Sequence, residues 1–572
     1  MRIRLIIAIL GISGMLVSGP APAQNGPGAG LAQLAPLAPL VSCASLAALD
    51  LSGAVGSPTA QVASEVAGEK PYCQVTGTIA RDIHFEVRLP LAGWTQRFLQ
   101  TGCGGLCGNL QIHTEDAEGC TPVTDGSIVL ASDDMGHHGV GVTWGANVGQ
   151  RIDFAYRGNH VTALAAKALI KAFYGRPQRY AYFSGCSDGG REALIEAQRY
   201  PGDFDGISAG APALNFTVQN SFHHGWLAKV NTGADGHAIL SAIDIKPLHA
   251  AVLAACDGID GLVDGQITDP RTCHFDPAVL ACKGEYRPGE CLTQMQVTAA
   301  RAIYDGARSP AGKRLEVGPL QLGSESEWVG VFVPREKTGH IGSEGFALDT
   351  INNLLFTPNR AYTIASFPFT EETVASEEAA RVLYNADNPD LGGFVAHGGK
   401  LILYHGWADP HISPLNTIDY YERVGQKMGT AARDGFVRMF LMPGMGHCAG
   451  GDGPSAFPLL AGLMAWVEGG TAPAVFVAHR VAPKPMAPPP GAGHNGPPHA
   501  AGDQDGPPPE MIARMRANEA ETAKLGARSR PVFAYPVIAQ YTGSGPVDDA
   551  SSFRALIPAP VSGISDWVGA RP

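Results

Sequence analysis

The sequence has no C-x-x-C pair, no long basic run, no tandem repeat and, after its N-terminal stretch, no apolar run suited to crossing a bilayer. Without C-x-x-C, a structural zinc site or thioredoxin-like chemistry is disfavoured. A net charge of −12 with no basic cluster argues against nucleic acid and anionic membrane surfaces as partners. Charged residues make up only 16% and hydrophobic residues 45%, the balance of an ordinary globular protein. What is abundant is Gly (72) and Pro (44), so many turns are expected. With 572 residues, the chain can hold a large core and an inserted domain.

The N-terminus reads as an export signal, residues 1–23: Arg2 and Arg4, an apolar stretch from Leu5 to Val17, and Ala21-Pro22-Ala23 at the cleavage positions. An uncleaved anchor is the alternative, but the stretch is short for a span. A secreted or periplasmic protein with no membrane attachment is therefore expected. Eleven cysteines fit an oxidising compartment, and their odd number leaves at least one unpaired within the chain.

Residues 24–40 are Gly-, Pro- and Ala-rich and are read as flexible. From residue 41 strands alternate with helices. Strand-like segments are 83–89, 97–101, 127–131, 180–185, 400–404 and 437–442; helical periodicity covers 162–174, 190–200 and 416–428. That alternation predicts an α/β fold with a parallel sheet covered on both faces. The rhythm breaks over 213–395, read as a lid inserted between a first core part (41–212) and a second (396–572). The second part carries a Pro/Gly-rich loop, 482–510, too poor in apolar residues to order itself.

Gly185-Cys186-Ser187-Asp188-Gly189 matches G-x-S-x-G between an apolar strand and a helix, the context a nucleophile elbow requires. The acid should follow a later core strand, and Asp409 follows 400–404 in this way; Asp419 lies on the next helix and fits less well. The base should follow the next strand, which gives His447; His405 and His411 compete but crowd the acid's own turn. Cys186 precedes the nucleophile and Cys448 follows the base. In a working triad Ser and His side chains lie about 3 Å apart. Their neighbours can then approach to the Cα separation of a disulfide, about 4.4–6.8 Å. A Cys186–Cys448 bridge is therefore expected. The backbone N–H of Asp188 and one from the loop Gly102-Cys103-Gly104-Gly105, with Gly105 preferred, would form the oxyanion hole.

These segments, with Asp-Gly-Ile-Ser-Ala-Gly-Ala-Pro (205–212), Tyr-His-Gly-Trp-Ala-Asp (404–409) and Pro-Gly-Met-Gly-His-Cys (443–448), resemble the tannase and feruloyl esterase family over nearly the whole mature chain. The resemblance implies an α/β-hydrolase fold with a large inserted lid and hydrolysis of esters of aromatic acids. No redox or nucleotide cofactor is implied. It also implies a structural Ca²⁺ in the lid, held by Asp257, Asp260 and Asp264 with the carbonyls of Leu262 and Gln266. Bridges Cys43–Cys73, Cys256–Cys273 and Cys282–Cys291 follow from the same resemblance; of Cys103, Cys107 and Cys120, the expected pair is Cys107–Cys120. Trp328 and Phe346 resemble lid aromatics that stack on the acid ring, and Phe216 and Ile412 resemble pocket walls. The family's terephthalate monoester hydrolase has an Arg four residues before that Phe; here the position is Gly342, which counts against that substrate.

The expected function is an exported serine carboxylesterase acting on small esters of phenolic acids, such as feruloyl or galloyl esters, through an acyl-enzyme. The rival readings are a non-catalytic binder of aromatic ligands and a hydrolase of another acyl bond. The sequence does not give the oligomeric state.

Overall fold

The computed structural model describes residues 30–114, 117–139, 141–480, 528–561 and 566–570. The expected signal (1–23) and the Pro/Gly-rich loop (482–510) lie outside the described residues.

The fold is α/β, built on one nine-stranded sheet in the order β1-β2-β3-β5-β4-β6-β7-β8-β9. The strands are β1 Thr59–Val66, β2 Tyr72–Ile79, β3 Ile83–Pro90, β4 Arg97–Thr101, β5 Val129–Asp133, β6 Tyr180–Cys186, β7 Gly206–Gly210, β8 Lys400–Gly406 and β9 Val437–Met442. From β5 to β9 every pairing is parallel. The expected all-parallel sheet needs correction at the other edge, where β1, β2, β3 and β5 pair antiparallel. The reason is chain length: β1 to β2 and β2 to β3 are joined by short turns, and a parallel crossover needs a dozen residues or more.

Successive residues of each strand enter opposite layers. Phe98 and Phe183 join the core that contains Ala165, Leu169 and Leu194, on the helices Gly158–Tyr174 and Asp188–Arg199. Their neighbours Leu99 and Tyr182 join a second core with Leu460 and Leu463, from the helix Leu459–Gly469. Strand β7 (Gly-Ile-Ser-Ala-Gly) is buried throughout yet carries little strand propensity. Its small residues are required by its neighbours: a Cβ on Gly206 would lie 2.8 Å from the Tyr182 ring, and one on Gly210 would lie 2.1 Å from that of Tyr404.

Between β7 and β8 the chain adds no strand to the sheet. This lid region folds around Phe222, Leu248, Val297, Trp328 and Ile351 as a separate apolar cluster. Two of its helices, Ala242–Cys256 and Gln294–Asp305, start with capping boxes (Ser241 with Asp244, Thr293 with Gln296). Residues 30–40, expected to be flexible, run against the core instead. Ala32 N–H donates to Glu468 Oε2 (2.7 Å), Leu37 pairs with Trp94, and Leu40 N–H donates to the Phe173 carbonyl (2.8 Å).

Candidate active site

Three parallel strands, β6, β8 and β9, end at one edge, and the loops that follow them carry Ser187, Asp409 and His447. Ser187 stands at φ +65°, ψ −121°, between β6 and the helix Asp188–Arg199. A positive φ on a non-glycine residue is strained and persists only where its surroundings impose it. Here two glycines impose it. A Cβ on Gly185 would lie 2.3 Å from the Gly189 carbonyl oxygen, so strand and helix are closer than side chains allow.

His447 Nε2 lies 2.9 Å from Ser187 Oγ, and His447 Nδ1 lies 2.7 Å from Asp409 Oδ2. Because a carboxylate only accepts, the proton sits on Nδ1, and Nε2 accepts from the serine hydroxyl. Asp409 is fully buried. Its Oδ1 accepts the N–H groups of His411 (2.8 Å) and Ile412 (3.0 Å). Burial opposes its ionisation, but His447 and His405 outweigh burial and hold the carboxyl well below the usual range.

The sulfurs staple this arrangement: Cys186 and Cys448 form a disulfide with Cα atoms 5.9 Å apart, across 262 positions of sequence. Cys43–Cys73, Cys256–Cys273 and Cys282–Cys291 are also bridged. The expected Cys107–Cys120 pair is corrected to Cys103–Cys107, whose Cα atoms lie 5.4 Å apart across a tight turn. Cys120 is buried and unbridged, against Met464 (Sγ to Sδ 3.7 Å).

That turn is the loop after β4. It packs on the start of the nucleophile helix, where a Cβ on Gly189 would lie 2.8 Å from the Cys103 carbonyl oxygen. Gly105 is exposed at φ +63°, and Asp188 begins the helix directly after Ser187. The Asp188 carboxylate is held in a buried pair with Arg191 (2.6 Å). Arg191 spends its other donors on the carbonyls of Ala155 (2.9 Å) and Phe154 (3.2 Å). A buried pair closed in this way fixes the first turn of the helix.

Sequence reasoning missed two supports. Glu192 Oε2 accepts from Asn159 Nδ2 (2.8 Å) and Cys103 N–H (3.3 Å), bracing the loop after β4. Burial, reinforced by Asp188, raises its carboxyl well above the usual range. His405, which the sequence offers as a rival base, is fully buried behind Asp409. Its Nε2 donates to Asp409 Oδ2 (3.1 Å) and to the Ile412 carbonyl (2.9 Å), and its Nδ1 lies 2.7 Å from Thr417 Oγ1. The signal for Glu192 is a carboxylate in the second turn of the helix that follows Ser187, next to the Asp188–Arg191 pair. For His405 it is a histidine inside a buried strand.

The four expected substrate contacts separate. Phe346 is 40% exposed, with its ring 5.8 Å from that of His411. Ile412 is buried in the turn that binds Asp409. Trp328 is corrected to a lid-core residue: it is fully buried, against Tyr304 and Phe332, with Nε1 donating to Ser324 Oγ (2.9 Å). Phe216 is likewise packed inside, between Phe154 and Tyr384 and under the Arg191 guanidinium.

The acidic lid loop offers only oxygen donors. Asp257 accepts the N–H groups of Asp264 (3.1 Å) and Gly265 (2.8 Å), and Asp260 accepts that of Leu262 (2.9 Å). Asp264 also pairs with Arg530. Burial, with the nearby Asp264 and Asp257 carboxylates, pushes the Asp260 carboxyl above its usual range. All three carboxylates are oxygen donors, the kind Ca²⁺ takes, but their ligand atoms do not all converge within 4.8 Å of one another.

The tannase and feruloyl esterase family model matches residues 64–556. The chain is 33% identical to an uncharacterised esterase of Xanthomonas campestris pv. campestris over 84% of each protein. It is 30% identical to the mono(2-hydroxyethyl) terephthalate hydrolase of Piscinibacter sakaiensis over 87% of each. Among solved structures, an esterase from Aspergillus oryzae superposes with a TM-score of 0.68 at 26% identity, covering 89% of this chain and 94% of that one. Feruloyl esterase B from Aspergillus oryzae shares the fold, with a TM-score of 0.68 at 24% identity, covering 87% of this chain and 96% of that one. The chain belongs to the tannase and feruloyl esterase family and is one of its ester hydrolases.

Proposed function

We propose that this ester hydrolase is an exported serine esterase that cleaves small esters of aromatic, phenolic acids. The carrying observation is the unbroken line Ser187 Oγ–His447 Nε2 (2.9 Å) and His447 Nδ1–Asp409 Oδ2 (2.7 Å). In this reading Ser187 Oγ attacks the ester carbonyl while His447 Nε2 takes its proton. Asp409 keeps the imidazole in the required tautomer and stabilises the imidazolium. The N–H groups of Asp188 and Gly105 bind the oxyanion. His447 then protonates the departing alcohol oxygen, leaving an acyl-enzyme. Water, deprotonated by the same His447, releases the acid and restores Ser187.

The aromatic acyl group is supported by the relatives' names, a terephthalate monoester hydrolase and a feruloyl esterase, and by the exposed Phe346 beside the site. Export is supported by five disulfides, which fit an oxidising compartment. Asp257, Asp260 and Asp264, with the carbonyls of Leu262 and Gln266, would draw together around a structural Ca²⁺, which would relieve the mutual repulsion that adds to burial in raising the Asp260 carboxyl. That ion takes no part in the ester chemistry.

Ser187→Ala should lower kcat on an aryl ester by about 10⁴-fold or more while the melting temperature is retained. A fluorophosphonate should label Ser187 in the wild type. Undiminished turnover in the variant, or no labelling of the wild type, refutes the serine mechanism. Chelation should lower the melting temperature and added Ca²⁺ restore it, and a melting curve indifferent to both removes the ion.

A further inference from the structure

One wall stands beside His447 and takes no part in the proton transfers above. It is built from three rings on separate segments: His224 from the first lid helices, Phe346 from the lid helix Gly342–Asn353, and His411 from the turn two residues after Asp409. Their centroids close a triangle: His224–His411 5.6 Å, His224–Phe346 5.2 Å, Phe346–His411 5.8 Å. His411 stands 4.8 Å from the His447 ring. The wall is therefore next to the atoms that hold the ester.

The two histidines are fixed differently. His224 is 4% exposed, and its Nδ1 lies 2.9 Å from the hydroxyl of Ser343. Behind it His223 pairs with Glu316 (2.6 Å). The backbone of His411 is committed, its N–H to Asp409 (2.8 Å) and its carbonyl to Gln219. Its ring nitrogens have no hydrogen-bond partner among the described residues. Burial and the proximity of His447 push the His411 imidazolium down to about 4. Burial, with His411, His223 and His447 close by, pushes that of His224 well below its usual value. Both rings are thus uncharged near neutral pH. A neutral imidazole has one donor and one acceptor, and a phenolic hydroxyl matches either. It supplies no counter-charge for a carboxylate.

We infer that His411 and His224 select the acyl group by reading ring hydroxyls of a hydroxylated aromatic acid, whose ring lies against Phe346. This rests on the function proposed above and narrows its substrate class to uncharged, polyhydroxylated acyl rings.

The test compares kcat/KM for methyl gallate and methyl benzoate, which share a ring and differ in its hydroxyls. In His411→Phe, which keeps a ring and removes the nitrogens, the gallate-to-benzoate ratio should fall about tenfold, the loss of one or two hydrogen bonds. His224→Gln should move the ratio the same way. A measurement without variants guards against misfolding. Pyrogallol should inhibit wild-type hydrolysis of 4-nitrophenyl acetate competitively, at least tenfold more tightly than 1,2,3-trimethoxybenzene. An unmoved ratio in both variants, or equal inhibition by the two compounds, overturns the inference. Methyl benzoate turnover that vanishes in Ser187→Ala keeps the proposed function standing in that event. A wild-type enzyme inert toward every ester overturns both.

Discussion

The sheet and the lid place their side chains by different means. In the sheet, position follows backbone pairing. Strands β6 to β9 lie in continuous parallel register, so three of these four strand ends, those of β6, β8 and β9, deliver a serine, a carboxylate and an imidazole to one edge. In the lid, between residues 211 and 399, position follows side-chain pairing. His223 holds Glu316 (2.6 Å), His249 holds Glu325 (2.7 Å), and the buried Glu377 accepts from Ser221 Oγ (3.1 Å). Backbone register leaves few choices once the strands form. Buried polar pairs are costly to break, even where His223 Nε2 and Glu377 Oε1 stay unpartnered, and they favour one arrangement of the helices.

The contrast breaks most severely at the staple. A Cys186→Ala/Cys448→Ala double variant frees a loop of 262 residues. It should lose on the order of 5 kcal/mol of stability by the chain-entropy argument. Denaturant titration in parallel with an ester assay checks this, and unchanged stability would mean the sheet alone holds the two loops together.

A smaller effect is expected one layer behind the site. His405→Asn removes one donor from Asp409 without touching Ser187. It should lower kcat about tenfold with little change in KM, since the interaction serves only the orientation of the acid. His405→Gln, which can restore a donor, should recover part of the loss. An equal fall for all variants, tracked by melting temperature, would reduce His405 to packing.

The smallest effect belongs to the lid. Burial pushes the Glu377 carboxyl up to about 8 in the fold. With a folded value above the unfolded one, about 4.3, its contribution is fully present below the unfolded value. It is lost as pH rises toward the folded value. Glu377→Gln should therefore melt a few degrees above wild type at about pH 8.5, with the gap closing by about pH 5. A gap independent of pH would show that the carboxyl does not titrate between the two states.

Much of the core was legible because its signals are local. The strand before Ser187, the glycines at 185 and 189 and the strand ends before Asp409 and His447 all follow from short-range pattern. The cysteines beside Ser187 and His447 carried a long-range relation that the sequence pattern made visible. Strand β7 escaped notice because Gly, Ser and Ala are chosen there by the tyrosines of its neighbours rather than by strand propensity. Trp328 and Phe216 were misplaced for a related reason: an aromatic residue in a lid reads alike whether it faces a ligand or the lid's own core.

The sequence by itself determined the layered α/β class, the sharp turn at Ser187 and the strand ends that carry Ser187, Asp409 and His447, because each depends on periodicity or on a turn of a few residues. Only the tertiary structure decided the antiparallel edge, the Cys103–Cys107 bridge, the second histidine behind Asp409 and the ring wall at His224, His411 and Phe346. Those depend on which distant segments touch, and contact between distant segments is set by packing that no local pattern encodes.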